Sequence, residues 1–323
     1  MPDETPPIES AAAFNEAFIQ LVETSGDGIV KGASARGGDY VRWKLRENGF
    51  FRNICPPEPI TDSQFDRQLD YEEPVRIEDM EPESPGAKSI NFSDTPDTAP
   101  FRGRRFMVRF CKITTPEFLK NVDELRTYRM DLRQVITDNA LKDMESEEDS
   151  RLITVVDRIV GNVGGNGLAN VPQNHQVAGR IQRPSYKNIL NHLQDLQLNN
   201  GMFLLNRHTA TEFLGWDHDE IGGPLAQTLF SEGLRGLPKL EVMGIPHLAT
   251  IKRTLVPDYV VYQFTEKSYL GKAYQLQEPT MFVERRKDII RFCAHQKLGF
   301  TISPSKFDTR DEFKRRVVRL AAA

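Results

Sequence analysis

The sequence predicts an α+β chain in which one long helix stands between an extended first part and a second part of mixed helices and strands. Residues 117–160 contain neither glycine nor proline, which permits a long helix. Segments with the two-residue alternation typical of strands lie on both sides of this run. At 323 residues, the chain is long enough to bury one elaborated core or two.

Composition and charge exclude several classes of protein. The formal net charge is -4, whereas direct nucleic-acid binders usually present a basic surface, so direct nucleic-acid binding is not expected; if the protein lies beside DNA, we expect it to enclose the DNA and not to bind it tightly. No stretch reaches the roughly 18 apolar residues of a membrane span, and the acidic, Pro-rich start is unlike a secretory signal. Cys55, Cys111 and Cys293 are far apart and predict neither a disulfide framework nor a zinc site.

Residues 1–35 are predicted to form an arm. An amphipathic helix is expected over 9–24, with Phe14 and Phe18 on its apolar face. The glycine-rich stretch 25–39 that follows is typical of a flexible joint.

Residues 50–113 are predicted to form a long excursion from the body of the protein. Short strands are expected at 50–55 and 105–113. Between them, residues 62–83 hold nine acidic side chains against two arginines. Because loops this long are uncommon inside a compact domain, we expect the span 62–100 to gain its order from an adjoining copy of the chain.

A helix is predicted to begin at Thr115 and Pro116, a capping residue and a first-turn proline. Apolar residues then recur at spacings of three, four or seven: Phe118, Val122, Leu125, Leu132, Ile136, Ala140 and Met144. From 116 to about 144, this helix would be an exposed rod about 40 Å long. The acidic run 146–149 suits a helix N-terminus, which predicts a second helix over 152–160.

The second half of the sequence alternates between helix and strand patterns. Helices are predicted at 185–198, 208–216 and 224–232. Strands are predicted at 202–205, 248–255, 260–264, 272–276, 281–284, 289–294 and 300–302. A charged turn is expected at 285–288.

No pattern of catalytic or ligand-binding residues appears. The glycines of 161–167 lack both the dinucleotide-binding spacing and the lysine of a phosphate loop. The metal-capable run 217–220 is contiguous, so its side chains do not converge and a solvated loop is expected. Five histidines stand singly: His175, His192, His208, His247 and His295. The sequence therefore predicts no catalytic, cofactor-binding or metal-binding residue, and no enzyme.

The order of parts resembles the major capsid protein of tailed bacteriophages, the Hong Kong 97-type coat fold. The stretch 41–57, VRWKLRENGFFRNICPP, enters the extended loop in a similar way. The stretches 113–118, ITTPEF, and 124–132, ELRTYRMDL, resemble the opening of the family's long helix. The turns 236–238 and 244–246 are similar to sequence ahead of its later strands.

The resemblance implies five regions in the chain. They are an N-terminal arm at 1–35, an extension loop at 36–113, a peripheral domain with the spine helix at 114–179, an axial domain at 180–270, and return strands of the peripheral domain at 271–323.

The resemblance also implies a function and partners. The chain would assemble with itself into pentamers and hexamers of an icosahedral or prolate head that encloses double-stranded DNA without sequence-specific contacts. A separate scaffolding protein, a portal and a possible cement or decoration protein would be partners, and no membrane would be involved. The protein would belong to the virion and be assembled in the host cytoplasm.

One family feature is not matched, and two other functions remain open. Some members join loop to neighbour by a Lys–Asn isopeptide bond, but Lys88 is the only lysine between Phe50 and Phe110, and no asparagine follows Asn206. Non-covalent contacts are therefore expected. The alternatives are an encapsulin-like compartment shell and a cytosolic enzyme with a lid at 50–113.

Overall fold

The structure is a computed structural model that describes residues 47–66, 73–82, 86–98, 103–126, 132–160, 173–212, 240–242, 244–303 and 316–322. The predicted arm, the glycine-rich run 161–167, the acidic run 217–220 and the predicted helix at 224–232 lie outside these residues. Among the described helices, none is both long and apolar enough to cross a membrane.

The described elements form two sheets and six α-helices. The helices are α1 (Phe51–Ile54), α2 (Val122–Arg126), α3 (Leu132–Val160), α4 (Arg183–Asp195), α5 (Arg207–Ala210) and α6 (Lys267–Leu270). The strands are β1 (Glu58–Pro59), β2 (Val75–Met80), β3 (Arg104–Thr114), β4 (Phe118–Asn121), β5 (Asn174–Val177), β6 (Asn200–Asn206), β7 (Leu240–Val242), β8 (Ile245–Thr250), β9 (Val260–Thr265), β10 (Gly271–Arg286), β11 (Ile289–Ile302) and β12 (Val317–Ala322).

The first sheet is built around a long antiparallel hairpin. Its strand order is β1-β10-β11-β3-β2, with β4 also paired to β11. The strands predicted separately at 272–276 and 281–284 are one strand, β10. Register shifts between Gln275 and Thr280 interrupt its alternation, which explains why the sequence pattern appeared broken. The predicted charged turn lies at 287–288, where the hairpin reverses.

The second sheet has the order β5-β12-β9-β6-β8-β7. All six residues of β9 are buried because both of its faces are covered. Val261 packs with α4 on one side, while Tyr262 packs with α3 on the other. The prediction of strands at 202–205 and 260–264, and of a helix close to 185–198, is confirmed.

The long helix begins and ends later than predicted. Two hydrogen bonds join Thr115 to the backbone of Ala294. The Thr115 N–H donates to the Ala294 carbonyl at 2.9 Å, and the Ala294 N–H donates to the Thr115 hydroxyl at 3.0 Å. Strand β4 therefore follows Thr115, paired with β11, and the predicted helix is wrong for 116–121, whereas helix is confirmed at 122–126 and 132–144. The predicted break at 146–149 is also wrong, since α3 runs unbroken from Leu132 to Val160.

Helix α3 is not an exposed rod. It packs against both sheets, and Leu152, Val156 and Val160 are fully buried in the largest core cluster. The predicted apolar residues Ala140 and Met144 do lie on this buried face. The helix is therefore the central element around which the two sheets are arranged.

Gly201 should tolerate no side chain, because a Cβ there would lie 2.4 Å from the Thr265 carbonyl oxygen. We expect Gly201→Ala to lower the free energy of unfolding by about 1–3 kcal/mol, since the obstacle is backbone. Chemical denaturation measures this. Gly103→Ala is the matched control, because nothing lies within 4 Å of its Cβ position. Equal stability of the two variants would contradict the close approach of β6 and β9.

Candidate interaction surface

The hairpin of β2 and β3 leaves the body of the protein partway along β3. Residues Phe110 to Thr114 pair with β11. Beyond Phe110 the partner of β3 is β2, with Val75 opposite Arg109 and Met80 opposite Arg104. The outer part of the hairpin therefore projects past the edge of the first sheet.

The base of the hairpin has a small core within its own chain. Ile60, Val108, Phe110 and Tyr274 form a buried cluster. The Tyr274 hydroxyl donates to Glu78 on β2, and the Arg76 guanidinium lies 4.5 Å from the centre of the Tyr274 ring. The expectation that the whole span 62–100 is ordered by another copy is therefore wrong for β2.

Residues 86–98, which we call the tip, bury nothing in the single chain. Every residue of the tip is exposed, including Ile90 at 48% and Phe92 at 113%. An ion pair joins Lys88 to Asp97 at 3.1 Å, but both side chains are largely exposed. Apolar residues that protrude without covering any part of their own chain are typical of a binding surface.

A cluster of carboxylates on α3 fixes the segment that leads into the hairpin. The backbone N–H of Gly49 donates to Glu145 at 2.7 Å. The N–H groups of Phe50 and Phe51 both donate to Asp149 Oδ1, at 2.9 and 2.8 Å. Asp149 therefore satisfies donors at the start of α1, and the strand predicted at 50–55 is a short helix instead.

The same cluster binds basic groups from other parts of the chain. Lys252, which follows β8 of the second sheet, places its Nζ 2.5 Å from Asp149 Oδ2. Arg52 Nη2 lies 2.8 Å from Glu148, whose other partner is the Gln296 amide at 2.6 Å. The hairpin base, the central helix and both sheets thus meet at one buried group of charges.

Burial is the main influence on the Asp149 carboxyl. It raises the pKa of Asp149 to about 6, against the opposing effects of the Lys252 ammonium and of the two backbone N–H groups. An ionised carboxylate in such a place is stable only while its donors are present.

A cleft of about 650 Å³ lies beside this cluster, between α3 and the first sheet. Cys111 lines it together with Arg109, Glu147 and Arg151. Burial raises the pKa of the Cys111 thiol, which keeps it protonated at neutral pH and unsuited to act as a nucleophile.

The structure brings together only two of the singly placed histidines. The rings of His175 and His192 lie edge to face at 5.5 Å. His247 is buried against Phe203 and Tyr186. Within the described residues, no group of three or more His, Cys, Asp or Glu side chains could hold a metal ion.

The Asn206 side chain is buried and is not available for a cross-link. It is fully buried, its side-chain oxygen caps α5 by accepting from the Thr209 N–H, and its amide donates to Val256 and Asp258.

No family model matches the sequence, and no curated protein does. Solved structures do match at the level of fold. A structure from Mycobacterium phage Bobi matches with a TM-score of 0.60 and 10% identity, over 91% of this chain and 96% of that one. The capsid structure of Cyanophage P-SCSP1u matches with a TM-score of 0.60 and 8% identity, over 94% of both chains.

The capsid of a native GTA particle, computed with C5 symmetry, matches with a TM-score of 0.55 and 14% identity, over 94% of this chain and 99% of that one. The chain therefore has the overall α+β fold of these phage capsid structures, as the resemblance implied. At this identity the likeness concerns fold alone.

Removing the Asp149 side chain should destabilise the protein strongly. Asp149→Ala leaves the Lys252 ammonium and the N–H groups of Phe50 and Phe51 without their acceptor, so we expect a loss of about 3–5 kcal/mol in the free energy of unfolding. The control is Glu147→Ala on the same helix. Its half-exposed pair with Arg151 should be worth less than about 1 kcal/mol. Similar losses in urea denaturation would refute the central role of Asp149.

The raised pKa of Asp149 also predicts a pH dependence. The folded protein binds this proton more tightly than the unfolded chain, so the stability from this group is greatest below about pH 4 and is lost as the pH rises through about 6. Relative to Asp149→Asn, the wild-type free energy of unfolding should fall by up to about 3 kcal/mol between pH 4 and pH 6.5. Parallel pH profiles for the two proteins would contradict this assignment.

Proposed function

We propose that this chain is the major capsid protein of a tailed bacteriophage, a structural subunit that assembles with itself into a shell. The fold shared with phage capsid structures over nearly the whole chain supports this proposal. The observation that carries it is the exposed tip. It is a segment with an ordered base and apolar side chains that find no cover in their own subunit.

The proposed assembly follows from the position of the tip. A projecting segment on one copy must meet a different surface on the next copy, which is a heterologous contact. Such contacts form rings when the rotation closes, as in the pentamers and hexamers of an icosahedral or prolate head. In this proposal residues 36–113 act as the extension loop, 114–179 and 271–323 as the peripheral domain, and 180–270 as the axial domain.

The proposed content of the shell is double-stranded DNA, held without sequence-specific contacts. A net charge of -4 is more typical of a protein that surrounds DNA than of a protein that binds DNA directly. A scaffolding protein, a portal and a cement or decoration protein are the proposed partners in the virion. The contacts between subunits would be non-covalent, because no asparagine follows Asn206 in the part of the chain where the partner of Lys88 would be expected.

Deleting the tip should separate folding from assembly. Since residues 86–98 are exposed throughout, their removal should change the free energy of unfolding by less than about 1 kcal/mol and yet abolish shell formation. Chemical denaturation, sizing chromatography and negative-stain microscopy measure the two effects.

A larger deletion is the contrasting control. Removal of 62–100 would also take away β2 and uncover Val108, so that variant should unfold more easily. Shells that form normally without residues 86–98 would count against the proposed role of the tip. A wild-type chain that remains monomeric in every condition would refute the shell function itself.

A further inference from the structure

A group of polar side chains lies between α4 and the edge of the second sheet, where the proposed function assigns no role. Strand β5 is an edge strand of this sheet, and its residue His175 lies opposite Leu320 of β12. Leu320 and Val177 belong to the apolar cluster that includes the buried face of α4. By strand alternation, His175 therefore lies on the side of the sheet that faces α4.

His175 meets a second histidine on this side of the sheet. His192 is in the last turn of α4, and its ring lies edge to face with the His175 ring, with centroids 5.5 Å apart and planes at 78°. Both residues are partly buried, and the Nε2 atom of each ring is buried. The pair is therefore close to the protein surface, while its ring nitrogens face inward.

Gln173 belongs to the same side of β5. Its carbonyl accepts a hydrogen bond from the Arg319 N–H at 2.9 Å, so Gln173 continues the pairing of β5 with β12. Residues two positions apart in a strand share a face and are separated by about 6.6 Å, which places Gln173 beside His175. The Gln173 side chain is fully buried.

The polar atoms of this group are not satisfied by the protein. Within the described part of the chain, neither the oxygen nor the nitrogen of the Gln173 side-chain amide has a hydrogen-bond partner, and His175 Nε2 has none. Buried polar atoms in folded proteins are nearly always paired with protein groups, ordered water or an ion. These atoms therefore indicate a bound species between β5 and α4.

Two imidazoles and an amide oxygen suit a transition-metal ion. Imidazole is the common ligand of Zn²⁺, Cu²⁺ and Ni²⁺. A zinc ion holds each ring nitrogen at about 2.0–2.1 Å, so two nitrogens around a tetrahedral ion lie about 3.4 Å apart. Ring centres 5.5 Å apart permit that separation of the Nε2 atoms. Burial lowers the pKa of His175, which keeps its imidazole neutral and able to act as a ligand.

We propose that His175, His192 and the side-chain oxygen of Gln173 bind one divalent transition-metal ion, Zn²⁺ in the first instance, with water completing the coordination. The ion joins the edge strand β5 to the last turn of α4. The sequence predicts no metal site here, because the ligands come from two segments and one of them is an amide. The proposal concerns the single subunit and does not depend on assembly.

Calorimetric titration of Zn²⁺ into the untagged, metal-free full chain tests the site. The wild type should bind one ion per chain, and Zn²⁺ should raise its unfolding midpoint. His175→Ala and His192→Ala should each weaken binding at least tenfold. His208→Ala is the matched control, because this histidine is on α5 and pairs with Asp258. His218→Ala tests the metal-capable run 217–220 in the same way, and both controls should bind as the wild type does.

Substitutions of Gln173 distinguish a metal ion from a buried water molecule. A carboxylate is a stronger zinc ligand than an amide oxygen, so Gln173→Glu should bind Zn²⁺ more tightly than the wild type and gain more in unfolding midpoint. Gln173→Leu should bind Zn²⁺ several-fold more weakly. If the site holds only water, Zn²⁺ should leave the unfolding midpoint of all three proteins unchanged, and that result would overturn the proposal.

A spectroscopic measurement needs no variant that must fold. The electron paramagnetic resonance spectrum of the wild type with one equivalent of Cu²⁺ should show hyperfine coupling to two imidazole nitrogens. A wild type that binds no Zn²⁺, binding retained in both His175→Ala and His192→Ala, or an equal loss in either control would refute the site. None of these measurements involves shell formation, so their failure leaves the proposed function standing.

Discussion

The architecture depends on one buried carboxylate, that of Asp149. It accepts hydrogen bonds from two consecutive backbone N–H groups and from Lys252, and its side chain is fully buried. A charge in such a place must keep all of its partners, because each missing donor leaves an uncompensated cost of desolvation. The start of the hairpin and the loop after β8 are therefore held in fixed positions against the same turn of α3.

Helix α3 uses further acidic residues in the same way along its length. Glu145 binds Gly49 N–H, and Glu148 binds Arg52 and Gln296. About two turns beyond Asp149, Asp157 accepts from the Tyr262 hydroxyl at 3.0 Å and lies 3.8 Å from buried Arg319. Apolar packing places the helix between the sheets, and the carboxylates add directional contacts that define its rotation and register.

The parts of the fold that the sequence predicts are those whose signals are local. Strand β3 alternates, β6 is a short apolar run, and α4 shows an amphipathic period, so each is recognisable without knowledge of its neighbours. Thr115 and Pro116 have the sequence pattern of a helix start. However, the Thr115 hydroxyl accepts a hydrogen bond from the backbone of Ala294, and a strand follows instead of a helix. The two residues of this contact are nearly 180 positions apart in sequence, so no local pattern predicts it.

The sequence predicted the candidate interaction surface only in part, as it did the fold. The low hydrophobic content of 62–100 predicts an excursion, and the exposed tip confirms it for 86–98. The run 146–149 has the composition of a solvated helix start, yet Glu148 and Asp149 are buried because their partners come from distant segments. The exposure of Leu119, Phe282 and Ile289 on neighbouring strands could not be predicted, since these residues come together only through the pairing of three strands.

Strand β3 belongs to the first sheet at one end and to the projecting hairpin at the other, and this has a mechanical consequence. Its hydrogen bonds to β11 run across the strand direction over five consecutive residue pairs. A force that pulls along β3 from the hairpin therefore loads these bonds together in shear, instead of opening them one after another. The attachment of the hairpin to the first sheet therefore resists force best along the direction of β3.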